Sequence, residues 1–155
     1  MAHIHEKIDF CVETYIVFEN KVLLRKHDKY KIWLAVGGHI ELEDEPNEAA
    51  LREVKEEVGL KVELYQEEGR QPKFTGPNQS LIPPQFLNRH RINETHEHIA
   101  MIYFAKSTSD QLILSETELS AGCKWFTKEE LEANKEGIRA DVIHYGLTAL
   151  EKLSK

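Results

Sequence analysis

The stretch that most constrains this chain is 37–60, GGHIELEDEPNEAALREVKEEVGL, because it concentrates negative charge on a short helix. Glu53, Glu56 and Glu57 are spaced i, i+3 and i+4, so all three carboxylates fall on one helix face. Like charges at this spacing repel each other and destabilise an isolated helix. A divalent cation removes the repulsion, and hard cations prefer carboxylate oxygens. The pattern therefore predicts a metal-binding face.

The ends and the other faces of this helix are also readable from the sequence. Pro46 suits the first helical position and Gly59 is a typical stop. Glu45 is then the N-cap, which is an unusual residue for that role. Ala49 and Ala50 flank the acidic face with little bulk, which predicts room for a ligand there. The helix is expected to bury an apolar stripe at i, i+3 and i+7, formed by Leu51, Val54 and Val58.

Composition limits the classes of function. With 155 residues, the chain fits one domain, 1–155, that has a real core. A net charge of −7 argues against binding polymeric nucleic acid or a membrane by charge alone. Cys11 and Cys123 are far apart and form no CxxC pair, which favours a reducing cytoplasm over a disulfide framework. We find no signal peptide and no apolar run of transmembrane length.

Strands and helices alternate along the rest of the chain. Runs rich in β-branched and aromatic residues predict strands over 8–18, 21–27, 32–36, 60–66, 98–105 and 123–126. Gly37-Gly38 is expected to form a tight loop. A capping box at Thr127 and Glu130 predicts one more helix, and apolar spacing over 138–153 predicts a closing amphipathic helix. We therefore expect an α+β fold with a mixed sheet packed between helices.

Residues 67–97 interrupt this rhythm. The segment holds four of the five prolines and carries the basic residues Arg70, Lys73, Arg89 and Arg91. Long loops inside compact domains are uncommon and often functional. We expect an inserted lid or specificity loop that binds an anionic substrate through Arg70, Arg89 and Arg91. The alternative is a solvated insertion that covers the sheet edge.

The acidic stretch resembles the Nudix box of the MutT-like hydrolases. That box reads Gly, five residues, Glu, seven residues, Arg-Glu, an aliphatic residue, any residue, Glu-Glu, any residue, Gly and an aliphatic residue. One position departs, because Asp44 stands where the family has Glu. Eight positions match in register, by chance on the order of once in 10⁸ placements. They are Gly38, Arg52, Glu53, Val54, Glu56, Glu57, Gly59 and Leu60.

The resemblance implies an αβα sandwich around a mixed sheet and an enzyme. Its expected reaction is the Mg²⁺- or Mn²⁺-dependent hydrolysis of a nucleoside diphosphate linked to another moiety. Metal ligands by resemblance are Glu53, Glu56, Glu57 and the backbone carbonyl of Gly38. Arg52 is expected to orient a box carboxylate by a bidentate pair.

Several alternatives remain open from the sequence. Glu53 is the expected general base, although a carboxylate from a distant loop is also used in related enzymes; the candidates are Glu94, Glu97, Glu116 and Glu118. The Asp44 departure leaves a non-catalytic nucleotide-sensing module as the alternative function. His90, His96 and His98 are a candidate zinc triad. A homodimer is expected by analogy alone.

Overall fold

The described residues of the computed structural model, 4–70, 72–114 and 122–154, fold into a mixed eight-stranded sheet with helices on both faces. The strands are β1 (Ile8–Phe18), β2 (Lys21–Lys26), β3 (Trp33–Leu34), β4 (Val36–His39), β5 (Val62–Leu64), β6 (Phe86–Arg91), β7 (Glu97–Ser107) and β8 (Gly122–Thr127). The helices are α1 (Pro46–Val58), α2 (Lys128–Ala133) and α3 (Ala140–Leu153). The predicted α+β class is confirmed.

Strand β1 is the centre of the sheet. It runs parallel to β7 over ten register pairs, from Ile8 opposite Glu97 to Val17 opposite Lys106. Its other edge forks, because residues near Phe18 pair with β2 whereas residues 11–14 pair with β4. Strand β7 divides in the same way between β5 and β6. The fork brings β4 and β6 to the same end of the sheet.

Side chains of β1 alternate between the two faces, as a strand requires. Val12 packs in a cluster with Ala49 and Ala50 of α1, whereas Tyr15 packs in a cluster with Val142 of α3. Both clusters are fully or almost fully buried. This alternation gives the sheet one face for the acidic helix and another for the closing helix.

Three local predictions about the acidic stretch were wrong. Gly37 and Gly38 form no loop, because they lie in β4 and pair with Glu13 and Val12 of β1. Leu51 is 40% exposed and leaves the buried stripe to Val54, Val58 and the two alanines. Ala49 and Ala50 therefore make core contacts instead of leaving room for a ligand.

The predicted loop over 67–97 contains a strand. Phe86–Arg91 forms β6, which pairs with β7, and Ile92 and Asn93 donate backbone hydrogen bonds to His96 in the hairpin between them. Between β5 and β6, the described residues 65–70 and 72–85 form no helix or strand, and we call 65–85 the irregular segment. In the described parts of the chain, no helix has the length and apolarity to cross a bilayer.

Candidate active site

Helix α1 begins at an N-cap that its own sequence supplies. Glu45 is extended, and its carboxylate accepts from the backbone amides of Asn47 (2.9 Å) and Glu48 (2.7 Å). A carboxylate at this position satisfies two amides that lack partners in the helix and interacts favourably with the helix dipole. At the other end, Gly59 adopts φ of 70°, the left-handed conformation that closes many helices. These two caps fix where the acidic residues stand.

Arg52 is the centre of the acidic site. Its Nη2 donates to Asp44 Oδ2 at 2.6 Å and to the carbonyl of His39 at 3.3 Å. Its Nη1 donates to Glu53 Oε1 at 2.9 Å and to Glu56 Oε2 at 3.4 Å. One guanidinium therefore holds three parts of the chain together: the acidic loop that contains Glu41 and Asp44, helix α1, and β4. Although Asp44 is shorter than the glutamate of the family pattern, it still reaches the arginine.

Glu53 lies against the glycine pair of β4. A Cβ on Gly38 would lie 2.5 Å from the Glu53 carboxyl carbon, so only glycine leaves space for this side chain. Burial raises the pKa of Glu53, and the adjacent Arg52 guanidinium offsets part of that effect. The carboxyl is held next to the strand backbone, at the position where resemblance also predicts the Gly38 carbonyl as a ligand.

The three helix carboxylates have different environments. The side chain of Glu56 is 51% exposed, whereas Glu53 and Glu57 are buried. Glu57 Oε2 forms an ion pair with Arg25 Nη1 of β2 at 2.7 Å. Arg25 could not be identified from the sequence, because Glu57 is 32 residues away from it and no short motif connects the two residues. The pair ties the acidic helix to β2.

The donor set fits a hard divalent cation. Carboxylate and carbonyl oxygens are the ligands that Mg²⁺ and Mn²⁺ prefer. Glu53 and Glu56 both contact Arg52 beside the glycine backbone, and Glu57, which pairs with Arg25, lies next to Glu53. The residues that could hold the ion are Glu53, Glu56, Glu57 and the Gly38 carbonyl.

The predicted basic side chains lie on the surface. Arg70 pairs with Glu67 (3.0 Å) and Arg89 with Glu97 (3.1 Å), and both arginines are mostly exposed. Arg89 and Arg91 alternate with His90 along β6 and so point to the opposite face of the sheet. Glu97, a candidate loop carboxylate, is the first residue of β7 and forms the ion pair with Arg89. The candidates Glu116 and Glu118 lie outside the described residues.

The irregular segment is attached to the start of α1 by Asn47. The Asn47 amide donates to the Ile82 carbonyl at 2.9 Å and accepts from the Ile82 amide at 2.8 Å. This pair of bonds mimics a strand pairing and brings the segment beside the N-terminus of the acidic helix.

Replacing Asn47 with Ala is expected to destabilise the fold by about 1–2 kcal/mol, because two partly buried backbone groups of Ile82 lose their partner. Limited proteolysis should cut more rapidly within 65–85, and urea unfolding measures the loss of stability. Asn78→Ala, at an exposed position of the same segment, is the matched control. Equal proteolysis of the two variants would contradict the attachment.

Glu13 is a further acidic residue that was not expected from the sequence to lie near the site. It lies on β1 opposite Gly37, near Arg139 and Asp141 at the start of α3. Burial and the nearby Asp141 carboxylate raise the pKa of Glu13 to about 7, against the weaker effect of Arg139. The signal in the sequence was the alternation of Asp9, Cys11 and Glu13 along a strand, which places polar groups on one face.

This shift predicts a pH effect on stability. The folded chain holds a proton on Glu13 that the unfolded chain, with the ordinary pKa of 4.5, has already released. The stabilisation is complete below about pH 4.5 and is lost as the pH rises through about 7. Glu13→Gln should therefore match wild type near pH 4 and exceed it near pH 8, by on the order of 1–3 kcal/mol. Urea unfolding at both pH values without divalent metal tests this, and an equal difference at both would contradict it.

Imidazoles gather at the forked end of the sheet, close to the acidic site. The strand register places Cys11 opposite His39, Asp9 opposite His98, and His98 opposite His90. His96 lies in the hairpin between β6 and β7, and its side chain contacts Asp9. Burial, together with the neighbouring imidazoles, lowers the pKa of His98 to about 4. The sequence analysis identified the histidines at 90, 96 and 98 but missed Asp9 and His39.

The described fold sets an acidic helix beside a glycine-containing strand, the arrangement that the Nudix resemblance implies. The NUDIX domain model matches residues 13–145, and the chain therefore belongs to the NUDIX family. Members of this family generally need a divalent metal and act on nucleotide-derived substrates.

Individual relatives agree with the assignment. A NUDIX-family hydrolase from Clostridium perfringens is 33% identical, with a TM-score of 0.82 over 94% of this chain and 98% of that one. The m7GpppN-mRNA hydrolase NUDT17 from Xenopus laevis is 31% identical over 126 residues, 70% of this chain. The chain spans only 38% of that relative's length. An Ap4A hydrolase from C. elegans shares the fold, with 16% identity and a TM-score of 0.66 over 94% of this chain and 99% of that one.

Proposed function

We propose that the chain hydrolyses a nucleoside diphosphate linked to another moiety, with water attacking phosphorus and Mg²⁺ or Mn²⁺ at the acidic helix. The observation that carries the proposal is the Arg52 network, which gathers Glu53 and Glu56 beside the Gly38 backbone. A bound divalent ion would supply charge neutralisation of the diphosphate and a more acidic water. Nucleoside triphosphates, nucleotide sugars, dinucleoside polyphosphates and capped RNA ends all contain such a linkage.

In this proposal, the residues of the chain have separate tasks. Glu53 accepts the proton of the attacking water, and Glu56 and Glu57 complete the oxygen donor set. Arg52 is a positioning residue, because its contacts within the described residues are to carboxylates of the site and to a carbonyl of β4. The segment 65–85, held by Asn47, selects the group attached to the diphosphate.

The Asp44 contact supports catalysis over the sensing alternative. That alternative was motivated by the loss of the family glutamate. The 2.6 Å ion pair from Asp44 to Arg52 retains the connection that a glutamate would make. The helix and its loop are therefore joined as a hydrolytic site requires.

The test is a substrate panel with Mg²⁺ or Mn²⁺ that covers nucleoside triphosphates, nucleotide sugars, dinucleoside polyphosphates and an m7GpppN cap analogue. Reaction in ¹⁸O-water, followed by mass spectrometry, shows which phosphorus accepts the water oxygen. Label in a phosphate product is the expected result. Tight binding of a nucleotide by calorimetry without turnover would support the sensing module instead. The predicted homodimer is decided separately by light scattering.

A further inference from the structure

The buried imidazole cluster at the forked end of the sheet has the geometry of a metal site that is separate from the acidic helix. Asp9 Oδ2 lies 3.1 Å from His96 Nε2 and 3.5 Å from His39 Nε2. His39 Nε2 lies 3.3 Å from His98 Nε2. The ligand atoms of Asp9, His96 and His98 all lie within 4.8 Å of one another. His39 and Cys11 form a second such group with His98, so the two groups share one imidazole.

These separations match a tetrahedral ion. Zinc–nitrogen and zinc–oxygen bonds are about 2.0–2.1 Å long, and a tetrahedron with that radius has edges of roughly 3.3 Å. The three measured separations, 3.1, 3.3 and 3.5 Å, fall around that value. Imidazole nitrogens with one carboxylate also suit a borderline ion such as Zn²⁺ better than Mg²⁺.

A hydrogen bond to the backbone fixes the orientation of the His96 ring. His96 Nδ1 lies 3.0 Å from the Glu6 carbonyl, which can only accept, so Nδ1 carries a proton. The Nε2 atom of the same ring lies 3.1 Å from Asp9 Oδ2. A backbone carbonyl on the distal nitrogen is the usual arrangement for a metal-bound histidine.

Asp9 is held in the same manner. Its Oδ1 accepts from the backbone amides of His5 (2.8 Å) and Ile4 (3.1 Å), and its Oδ2, which also lies 3.3 Å from the Ile4 amide, is directed at the imidazoles. Asp9, His39 and His96 are buried and His98 is partly exposed, which gives an ion a route from solvent.

We propose that Asp9, His39, His96 and His98 bind one Zn²⁺ ion in a structural site that joins β1, β4 and the β6–β7 hairpin. This set replaces the triad expected from the sequence, because His90 is not among the described groups whose ligand atoms converge. The ion would brace β4 at His39, the residue that follows the glycine pair and whose carbonyl accepts from Arg52. The site thus supports the acidic centre without joining its chemistry.

The test uses the full chain without a histidine tag, after chelator treatment and dialysis. Co²⁺ is titrated with excess Mg²⁺ present, so that the helix carboxylates do not contribute. One equivalent of Co²⁺ should bind with the intense visible absorption of a tetrahedral ion, and Zn²⁺ should displace it. Saturating Zn²⁺ should raise Tm by about 5–10 °C. Absence of the band, or binding only with weak octahedral absorption, would overturn the proposal.

Variants locate the ligands. His98→Gln, at the partly exposed position, should weaken Co²⁺ binding by about 100-fold or more, and Asp9→Asn should do the same if it folds. His90→Ala and His144→Ala are the controls and should retain the band. Loss of the ion in His90→Ala would overturn this ligand set in favour of the sequence triad. A thiolate-to-cobalt charge-transfer band would also overturn it, because Cys11 lies near His39 and His98.

Discussion

Replacing Glu53 with Gln is expected to lower kcat by about 10³- to 10⁴-fold without unfolding the protein. The amide keeps the size of the side chain. It still offers an oxygen to Arg52 Nη1, which lies 2.9 Å from Glu53 Oε1 in the wild type. It cannot accept the proton of the water, and it is a poorer ligand for a hard cation. The change also removes a carboxylate whose pKa is raised by burial, so stability should be unchanged or slightly higher.

The matched control for this variant is Glu48→Gln. Glu48 lies on the same helix, but its side chain is exposed. Turnover of the best substrate and thermal unfolding are measured for both variants. If both retain wild-type kcat, or if both lose it equally, Glu53 is not the base and the role passes to another carboxylate.

The second large effect is expected on stability. Replacing Gly37 with Ala should destabilise the fold by about 3 kcal/mol or more, because the new Cβ would lie 2.1 Å from the Val12 carbonyl oxygen. That oxygen belongs to the central strand, so relief requires β1 and β4 to move apart. Chemical denaturation measures the loss.

The Gly38→Ala variant distinguishes the structural role of Gly37 from the role of Gly38. Its Cβ would clash with the Glu53 carboxylate, which is the end of a flexible side chain, instead of the backbone. We expect a smaller loss of stability, about 1 kcal/mol, and a loss of at least about 10²-fold in kcat because Glu53 is displaced. The opposite order, a folded Gly37→Ala and an unfolded Gly38→Ala, would contradict this account of the glycine pair.

The parts of the site that could be predicted from the sequence are those whose residues are local. The helix from Pro46 to Val58, its Glu45 cap and its Gly59 stop all follow from residues within one short stretch. The spacing of the three glutamates also follows, because helical periodicity converts sequence distance directly into angle. The box register then led to the family.

Other features depended on partners that are distant in sequence. Gly37-Gly38 was interpreted as a loop because glycine is a common turn residue, but β1 supplies a pairing partner 24 residues earlier. Leu51 was expected to be buried from periodicity alone. The tight packing of Ala49 and Ala50 against Val12 rotates the buried face of the helix away from it.

The histidine cluster shows the same division. A sequence triad of nearby histidines was visible, whereas Asp9 and His39 are 30 or more residues from each other and from the hairpin. The parallel pairing of β1 with β7 brings Asp9 to His98, and the antiparallel pairing of β1 with β4 brings His39 to Cys11. Only the strand register could select these ligands.

The amino-acid sequence by itself determined the acidic helix, its caps and the family, because these depend on spacing along one segment. The tertiary structure decided which carboxylates are buried, that Arg25 pairs with Glu57, and that Asp44 still reaches Arg52. It also decided that Asp9, His39, His96 and His98 gather at one end of the sheet. The physical reason is that burial and convergence depend on which strands pair, and pairing is a property of the whole sheet.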